Sequence, residues 1–296
     1  MANPLTLADL KKSAVFARPQ LGVLGDPIAH SLSPAMHNAA LAELLPQHPQ
    51  LAGWHYHKLH IQTAELGEAL PLLLKLGFQG LNLTIPHKIA ALDWVTQLSP
   101  QAQRAGSVNT LVAHHGQWSG HTTDGPGFVA ALREHRGQEM TDRDVVILGA
   151  GGAARAVAVA CLENHCRSLQ IANRDASRAH ELAQTLNDQR VSALGLAELK
   201  TLPSHAVIVN CTALGLKIDD APPVDLKLLQ RGQFIFDTTY GSHTSALLQA
   251  AARSGAPHCN GKAMLRWQGA LAFQLWTGLL PPMKPMRQAL GESNPA

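Results

Sequence analysis

No stretch of the chain approaches the roughly 20 consecutive apolar residues that a membrane-spanning helix needs, so no membrane segment is expected. Charge of one sign is equally scarce. Lysine and arginine total 24 against 21 acidic residues, and the formal +3 is scattered, which excludes the basic stripe of a nucleic-acid binder. Cysteine is sparse too: Cys161, Cys166, Cys211 and Cys259 show no C-x-x-C spacing. A chain this long needs no bridges, so they are expected as reduced thiols in a cytoplasmic protein. Sixteen histidines are present, yet none falls in an H-E-x-x-H or comparable frame. His55, His57 and His60 read as surface histidines on a strand and the loop after it, and no metal is expected. The opening MANPLTLADLKKS lacks the apolar core of a secretory signal. No low-complexity run or internal repeat is apparent. What is there is a globular composition, 46% apolar and 15% charged, with room in 296 residues for two ordinary domains.

Strand and helix signals alternate along the chain. Residues 21–25 (LGVLG) read as a short buried strand, after which Ser33 is expected to cap a helix with Pro34 at its first position. Residues 53–61 alternate as a strand, 64–77 read as a helix ended by Gly77, and 79–85 as a strand stopped by Pro86. An amphipathic helix is expected over 88–98, a hairpin over 107–123, and a helix from Gly127. Strand 144–148, helix 152–162, strand 168–172, helix 176–187 and strands 206–210 and 234–239 complete the series. Such alternation means α/β architecture with mainly parallel sheets.

The most informative run is strand 144–148 leading into Gly149-Ala150-Gly151-Gly152-Ala153-Ala154 and an alanine-rich helix. This G-x-G-x-x-A turn lets a backbone approach a pyrophosphate and points a helix N-terminus at it. Glycines after a strand also make plain tight turns; the strand–turn–helix context favours the nucleotide site. It begins near mid-chain, so substrate chemistry is sought before it. The next strand ends at Ala172-Asn173-Arg174-Asp175. An NAD site normally places Asp or Glu there for the ribose 2′-hydroxyl. Asn173 and Arg174, with Arg178 on the same helical face, instead suit a 2′-phosphate through charge-assisted bonds. A solvated helix start is the plainer alternative, and Asp175 keeps NAD open.

Three constellations precede the turn. The run GDPIAHSLSPAMHN (25–38) sets the hydroxyls of Ser31 and Ser33 at a strand–helix connection, an anion site fit for a carboxylate. Capping explains one serine but not both. In NLTIPHK (82–88), Lys88 stands just past the C-terminal end of a strand, where α/β proteins collect ligands, although a single lysine is more often surface charge. Thr122-Thr123-Asp124-Gly125 ends the hairpin, where Asp-Gly alone would be only a turn, and Gly106-Ser107-Val108-Asn109-Thr110 adds a polar amide.

Together these segments resemble the shikimate dehydrogenase family, in the family's order and over about residues 20 to 280. The resemblance rests on His-Ser-Leu-Ser-Pro (30–34), Asn-x-Thr-x-Pro-x-Lys (82–88), Val-Asn-Thr (108–110) and Thr-Asp-Gly (123–125). Gly-Ala-Gly-Gly-Ala (149–153), Asn-Arg (173–174) and Gly-x-x-Met-Leu-x-x-Gln (261–268) extend it. It implies two domains, an N-terminal α/β substrate domain and a Rossmann-like dinucleotide-binding domain with a deep cleft between them. The first would comprise residues 1–123 plus 259–296, the second 124–258, with the helices around 261–280 folding back onto the N-terminal domain. Lys88 and Asp124 would then be the catalytic pair, and Ser31 and Ser33 would hold the substrate carboxylate. Thr84, Asn109, Tyr240 and Gln268 would line the hydroxylated ring. NADP would be bound by Gly149, Ala150, Gly151, Gly152, Ala153, Asn173, Arg174 and Arg178, with Thr238, Gly261 and Met264.

The implied activity is reversible NADPH-dependent reduction of 3-dehydroshikimate to shikimate, in aromatic amino-acid (chorismate) biosynthesis. A cytoplasmic monomer or homodimer with no nucleic-acid or membrane partner is expected. Hydride addition to a ketone builds negative charge on oxygen, which a nearby ammonium stabilises and protonates. One alternative is a quinate/shikimate dehydrogenase using NAD or NADP. Another is a non-catalytic dinucleotide-sensing module, which requires loss of the catalytic pair, whereas Lys88 and Asp124 are both present. Three positions depart from the family pattern: Thr122 replaces the usual Asn, Gly241-Ser242-His243 lacks the proline often found after Tyr240, and Asn260 replaces Asp. They bear on which ring substrate is taken.

Overall fold

The computed structural model describes residues 3–137, 139–241 and 243–292, so Ser242 lies outside the described residues. The chain divides into two compact units: Met1–Thr123 with Arg266–Ala296, and Asp124–Leu265.

Unit 1 opens with β1 (Leu5–Thr6) and the short helix α1 (Leu7–Lys12), whose start is boxed reciprocally by Thr6 and Asp9. β2 (Gln20–Gly25) is buried along its whole length, as befits a strand covered on both faces. It leads to α2 (Ser33–Leu44), β3 (His55–His60), α3 (Leu66–Leu76) and β4 (Phe78–Leu83). Then come α4 (His87–Ala90), β5 (Gln97–Leu98), α5 (Pro100–Ala105), β6 (Thr110–His114) and β7 (Gln117–His121). The sheet order is β1-β3-β2-β4-β6-β7-β5, parallel as far as β4 and antiparallel at β4–β6 and β6–β7. His115 (φ 49°) and Gly116 (φ 76°) make the left-handed two-residue turn whose twist suits the β6–β7 hairpin. Leu59, Leu70, Leu73, Phe78, Leu111 and Trp118 lie in its core.

Two expectations are corrected here. Ser33 does not cap α2: Leu32 holds the cap position and Ser33 is the first helical residue, its amide donating to Ser31 Oγ at 3.4 Å. The helix expected over 88–98 stops at Ala90 and gives way to one 3₁₀ turn, Ala91–Trp94. β-Branched Val95 and Thr96 favour extended backbone. Thr96 N bonds Trp118 O at 3.0 Å, which draws the segment into the sheet as β5.

Unit 2 begins with α6 (Asp124–Arg136), three residues earlier than expected. β8 (Asp144–Leu148), α7 (Gly152–Glu163), β9 (Ser168–Asn173), α8 (Ala176–Leu186), β10 (Val191–Gly195) and β11 (Val207–Asn210) follow. β12 (Phe234–Asp237), α9 (Ala246–Ser254) and β13 (His258–Cys259) precede α10 (Lys262–Thr277), within which the unit ends. The sheet is wholly parallel, in the order β10-β9-β8-β11-β12-β13. Strand order therefore reverses between β8 and β11, the switch point at whose carboxyl ends such sheets bind ligands. Gly125 is not a turn residue: a Cβ there would meet Ala156 O at 2.5 Å, so glycine permits the close crossing of α6 on α7. In unit 1 the last helix, α11 (Met283–Ala289), packs on α2. No helix of the described residues is long and apolar enough to cross a membrane, and among those residues the cysteines form no disulfide.

Candidate active site

In unit 1, β3, β4 and β6 gather a buried polar cluster. Asn82, Asn109, Thr110, Thr123 and Gln268 are each less than 10% exposed, where an unbonded polar group would be costly. Each is bonded. Tyr56 donates its hydroxyl proton to Asn82 Oδ1 at 2.8 Å, and Asn82 Nδ2 donates to Asn109 O and Thr110 Oγ1, both at 3.1 Å. Asn109 Oδ1 accepts from Thr123 N at 2.7 Å, while Asn109 Nδ2 donates to Gln268 Oε1 at 3.0 Å. The structure thus brings together two of the expected ring contacts, Asn109 and Gln268, although 159 residues separate them.

The other expected groups of unit 1 sit on the loops after β2 and β4. Half-buried Ser31 and buried Ser33 adjoin, Ser31 Oγ accepting from Ser33 N at 3.4 Å. Thr84 is tied to the end of β2 through its amide and Leu24 O (2.9 Å). Half-buried Lys88 rides on α4, and its carbonyl accepts from Val108 N at 2.8 Å, which locks the lysine-bearing turn to the Asn109 segment. Beside it, burial lowers the pKa of His87, with the Ile61 carbonyl and the Asp26 charge opposing, so the imidazole is neutral at pH 7. Its Nε2 bonds Ile61 O at 2.7 Å.

In unit 2, Gly149 has φ +114°, a left-handed conformation that L side chains rarely adopt, and its amide donates to Ala172 O at 2.8 Å. A Cβ at Gly151 would meet nothing within 4 Å, so the turn faces open space. Gly151 occupies the cap position of α7 with no side-chain cap, and Gly152 and Ala153 form its half-buried first turn, behind buried Ala150. The positive end of the helix dipole lies at this turn. At the end of β9, Asp175 turns to cap α8: its Oδ1 accepts from Ser177 N at 3.0 Å and Ser177 Oγ at 2.7 Å. That hydroxyl is the main reason its carboxyl is held below the usual range. Asn173 Nδ2 bonds Asp175 O at 2.9 Å. Arg174 and Arg178 are exposed and enter no ion pair among the described residues.

Asp124 is buried at the start of α6. Burial first, and then the Asp124 charge, push the half-buried Tyr240 phenol up to about 12. Thr238 N bonds Asn210 O, and Gly261 N bonds Thr239 O, both at 3.0 Å, while Met264 is buried on α10. Sequence reasoning missed what organises these loops. Asp237 Oδ1 accepts from Asn210 Nδ2 (2.9 Å), Thr239 N (3.0 Å) and Thr239 Oγ1 (2.8 Å), and Oδ2 accepts from Ser245 Oγ (2.5 Å). The available signal was a polar residue ending each of two otherwise apolar strands, VIVN and FIFD. No three His, Cys, Asp or Glu side chains among the described residues gather as metal ligands.

Three family models match the chain in order. The shikimate dehydrogenase substrate binding domain matches residues 23–111, shikimate / quinate 5-dehydrogenase matches 131–239, and the shikimate 5'-dehydrogenase C-terminal domain matches 263–290. The chain belongs to the shikimate dehydrogenase family. Shikimate dehydrogenase (NADP(+)) of Bacillus cereus is 35% identical over 271 residues, spanning 90% of this chain and 95% of that protein. Among solved structures, shikimate 5-dehydrogenase of Thermus thermophilus, in complex with NADP(H) and shikimate, superposes with a TM-score of 0.79 at 36% identity over 92% of this chain and 98% of that one. Quinate dehydrogenase of Corynebacterium glutamicum, in complex with NAD, gives a TM-score of 0.79 at 32% identity over the same 92% and 98%.

Proposed function

We propose that this protein reversibly reduces 3-dehydroshikimate to shikimate with NADPH. The observation that carries the reading is the likeness, in one chain and in order, to the family's substrate-binding, catalytic and C-terminal parts. Unit 1 serves as the substrate domain and unit 2 as the dinucleotide domain. Ser31 and Ser33 hold the substrate carboxylate, and Thr84, Asn109, Tyr240 and Gln268 contact the ring. Lys88 gives its proton to the developing alkoxide and Asp124 accepts a hydrogen bond from substrate. The fit of the dinucleotide rests on the open turn at Gly151, the N-terminus of α7 beside it, and exposed Arg174 and Arg178 past the end of β9. Gly149, Ala150, Gly151, Gly152 and Ala153 would hold its pyrophosphate, and Asn173, Arg174 and Arg178 its 2′-phosphate, with Thr238, Gly261 and Met264 completing the site. When bound, the nicotinamide donates or accepts the hydride. We read the protein as a cytoplasmic monomer or homodimer.

Because Asp175 is committed to its cap, NADP is expected to be preferred over NAD. A charge-assisted bond contributes about 1.5–3 kcal/mol, so Arg174→Ala should raise the KM for NADP roughly tenfold or more and leave that for NAD little changed. Equal loss with both dinucleotides in steady-state assays would remove Arg174 from the 2′-phosphate site. Likeness to a quinate dehydrogenase, together with Thr122 and Asn260, favours quinate as the second substrate to try. Paired kinetics on shikimate and quinate, each with NAD and NADP, decide between them; silence with all four combinations overturns the activity itself.

A further inference from the structure

Arg178 stands in the first turn of α8 with a carboxylate three residues away on either side, Asp175 before it and Glu181 after it. Helix residues at that spacing are neighbours, and opposite charges there attract. An arginine so engaged has less to give a phosphate. Both carboxylates are committed elsewhere. Asp175 Oδ1 accepts from Ser177 N at 3.0 Å and from Ser177 Oγ at 2.7 Å. Ser177 first, and Arg178 to a lesser degree, hold the Asp175 carboxyl below its usual range, so this arginine lies near without being bonded. Glu181 Oε1 accepts from Arg155 Nη2 at 2.9 Å, across from α8 to α7. Exposed Arg178 enters no ion pair among the described residues. The hold on Glu181 is firm at the Arg155 end. That side chain is only 10% exposed, its Nε is buried with no hydrogen-bond partner, and Glu181 is the one carboxylate it pairs with among the described residues. A buried guanidinium without its carboxylate is costly, and this keeps Glu181, 67% exposed, turned toward α7.

We propose that Arg155 is a positioning residue for dinucleotide choice: by drawing Glu181 toward α7 it keeps that carboxylate off Arg178 and leaves Arg178 open to a phosphate on the adenosine ribose. This rests on the reading of Arg178 as a 2′-phosphate contact. The ligand group favoured is a ribose phosphomonoester. Releasing Glu181 would set a competing carboxylate beside Arg178 and a like charge beside the phosphate, whereas a ribose 2′-hydroxyl would feel neither strongly.

Calorimetric Kd values for NADP and NAD, measured on the whole protein and its variants, test this. Arg155→Met keeps an unbranched apolar stem in place of the buried guanidinium. It should raise the Kd for NADP about three- to tenfold and that for NAD less than about twofold, the scale of one added charge at a solvated site. Glu181→Gln can still accept from Arg155 but carries no charge to compete for Arg178. Combined with Arg155→Met it should bring the Kd for NADP back to within about twofold of the parent, a rescue that follows only if the damage runs through the Glu181 charge. A merely structural role for Arg155 would weaken NADP and NAD alike and leave the double variant no better than Arg155→Met. Either result overturns the proposal. Should Arg155→Met be too unstable to bind, the double variant still decides, because it leaves no buried charge unpaired: a Kd for NADP more than about threefold above the parent overturns the proposal. Arg178→Ala separates the two levels. If it weakens NADP while Arg155→Met is silent, the role of Arg155 alone fails. If Arg178→Ala is itself silent, the 2′-phosphate reading of Arg178 fails and the role of Arg155 with it.

Discussion

Lys88→Ala is expected to lower kcat for shikimate oxidation by roughly 10²- to 10⁴-fold, the range typical of removing a general acid or base. Reduction of the ketone leaves charge on oxygen, and oxidation of the alcohol requires a group to take the hydroxyl proton; one side chain serves both directions. Sequence-local means fix the position of Lys88. β4 ends at Leu83, the loop returns as α4, and the carbonyl of Lys88 is held by Val108 N at 2.8 Å. The residues read as NADP contacts all lie in the other unit, between Gly149 and Met264. The KM for NADP should therefore remain within about twofold of the parent, while the turnover loss is the size of a chemical step. Steady-state rates at saturating shikimate and NADP test both halves of the expectation. A kcat within about threefold of the parent would show that another group carries the proton. A parallel rise in the KM for NADP would point to a folding defect instead.

The βα alternation was legible in the sequence because buried parallel strands are short apolar runs bounded by turn residues, as at 144–148 and 206–210. Misreadings arose where tertiary pairing decides. Residues 88–98 carry a helical spacing of apolar side chains, yet the Thr96–Trp118 bond takes the end of that segment into a sheet edge. The two-residue strands β1 and β13 are too short for any periodicity to declare them. For the site, the motifs that single out Lys88, Asp124 and the glycine turn are legible because their pattern lies in local order along the chain. The buried hydrogen-bonded cluster that joins Tyr56, Asn82, Thr110, Asn109 and Gln268 was invisible, because β3, β4, β6 and α10 supply members that only the folded sheet aligns. Asp175 shows the reverse case. Whether it serves as a cap is a matter of which way one carboxylate turns, and the bonds to Ser177 show that it does.

Glu292→Ala is expected to be the most destabilising surface-adjacent truncation, costing unit 1 about 3 kcal/mol or more. Among the described residues Arg266 is the largest fully buried side chain, and its Nε donates to Glu292 Oε2 at 2.7 Å. Side-chain exposures are 0% for Arg266 and 11% for Glu292, so solvent cannot take over the role of the carboxylate when it is lost. The pair also fastens the segment after α11 to α10, two residues before Gln268. Other ion pairs differ in kind. Lys11–Glu68 has exposures of 50% and 58%, and Arg133–Glu139 of 51% and 61%, so Glu139→Ala should cost under about 1 kcal/mol. At this scale Glu292→Ala should lower the melting temperature of unit 1 by roughly 6–12 °C, whereas Glu139→Ala should lower that of unit 2, where it lies, by about 2 °C. Replacing both partners, Arg266→Met with Glu292→Ala, should recover part of the loss, because the penalty comes from a buried charge left without its counter-ion rather than from the attraction itself. Calorimetry or hydrogen exchange on the three variants is the measurement. A melting temperature for Glu292→Ala as close to the parent as that of Glu139→Ala would mean that water reaches Arg266 once the carboxylate is gone.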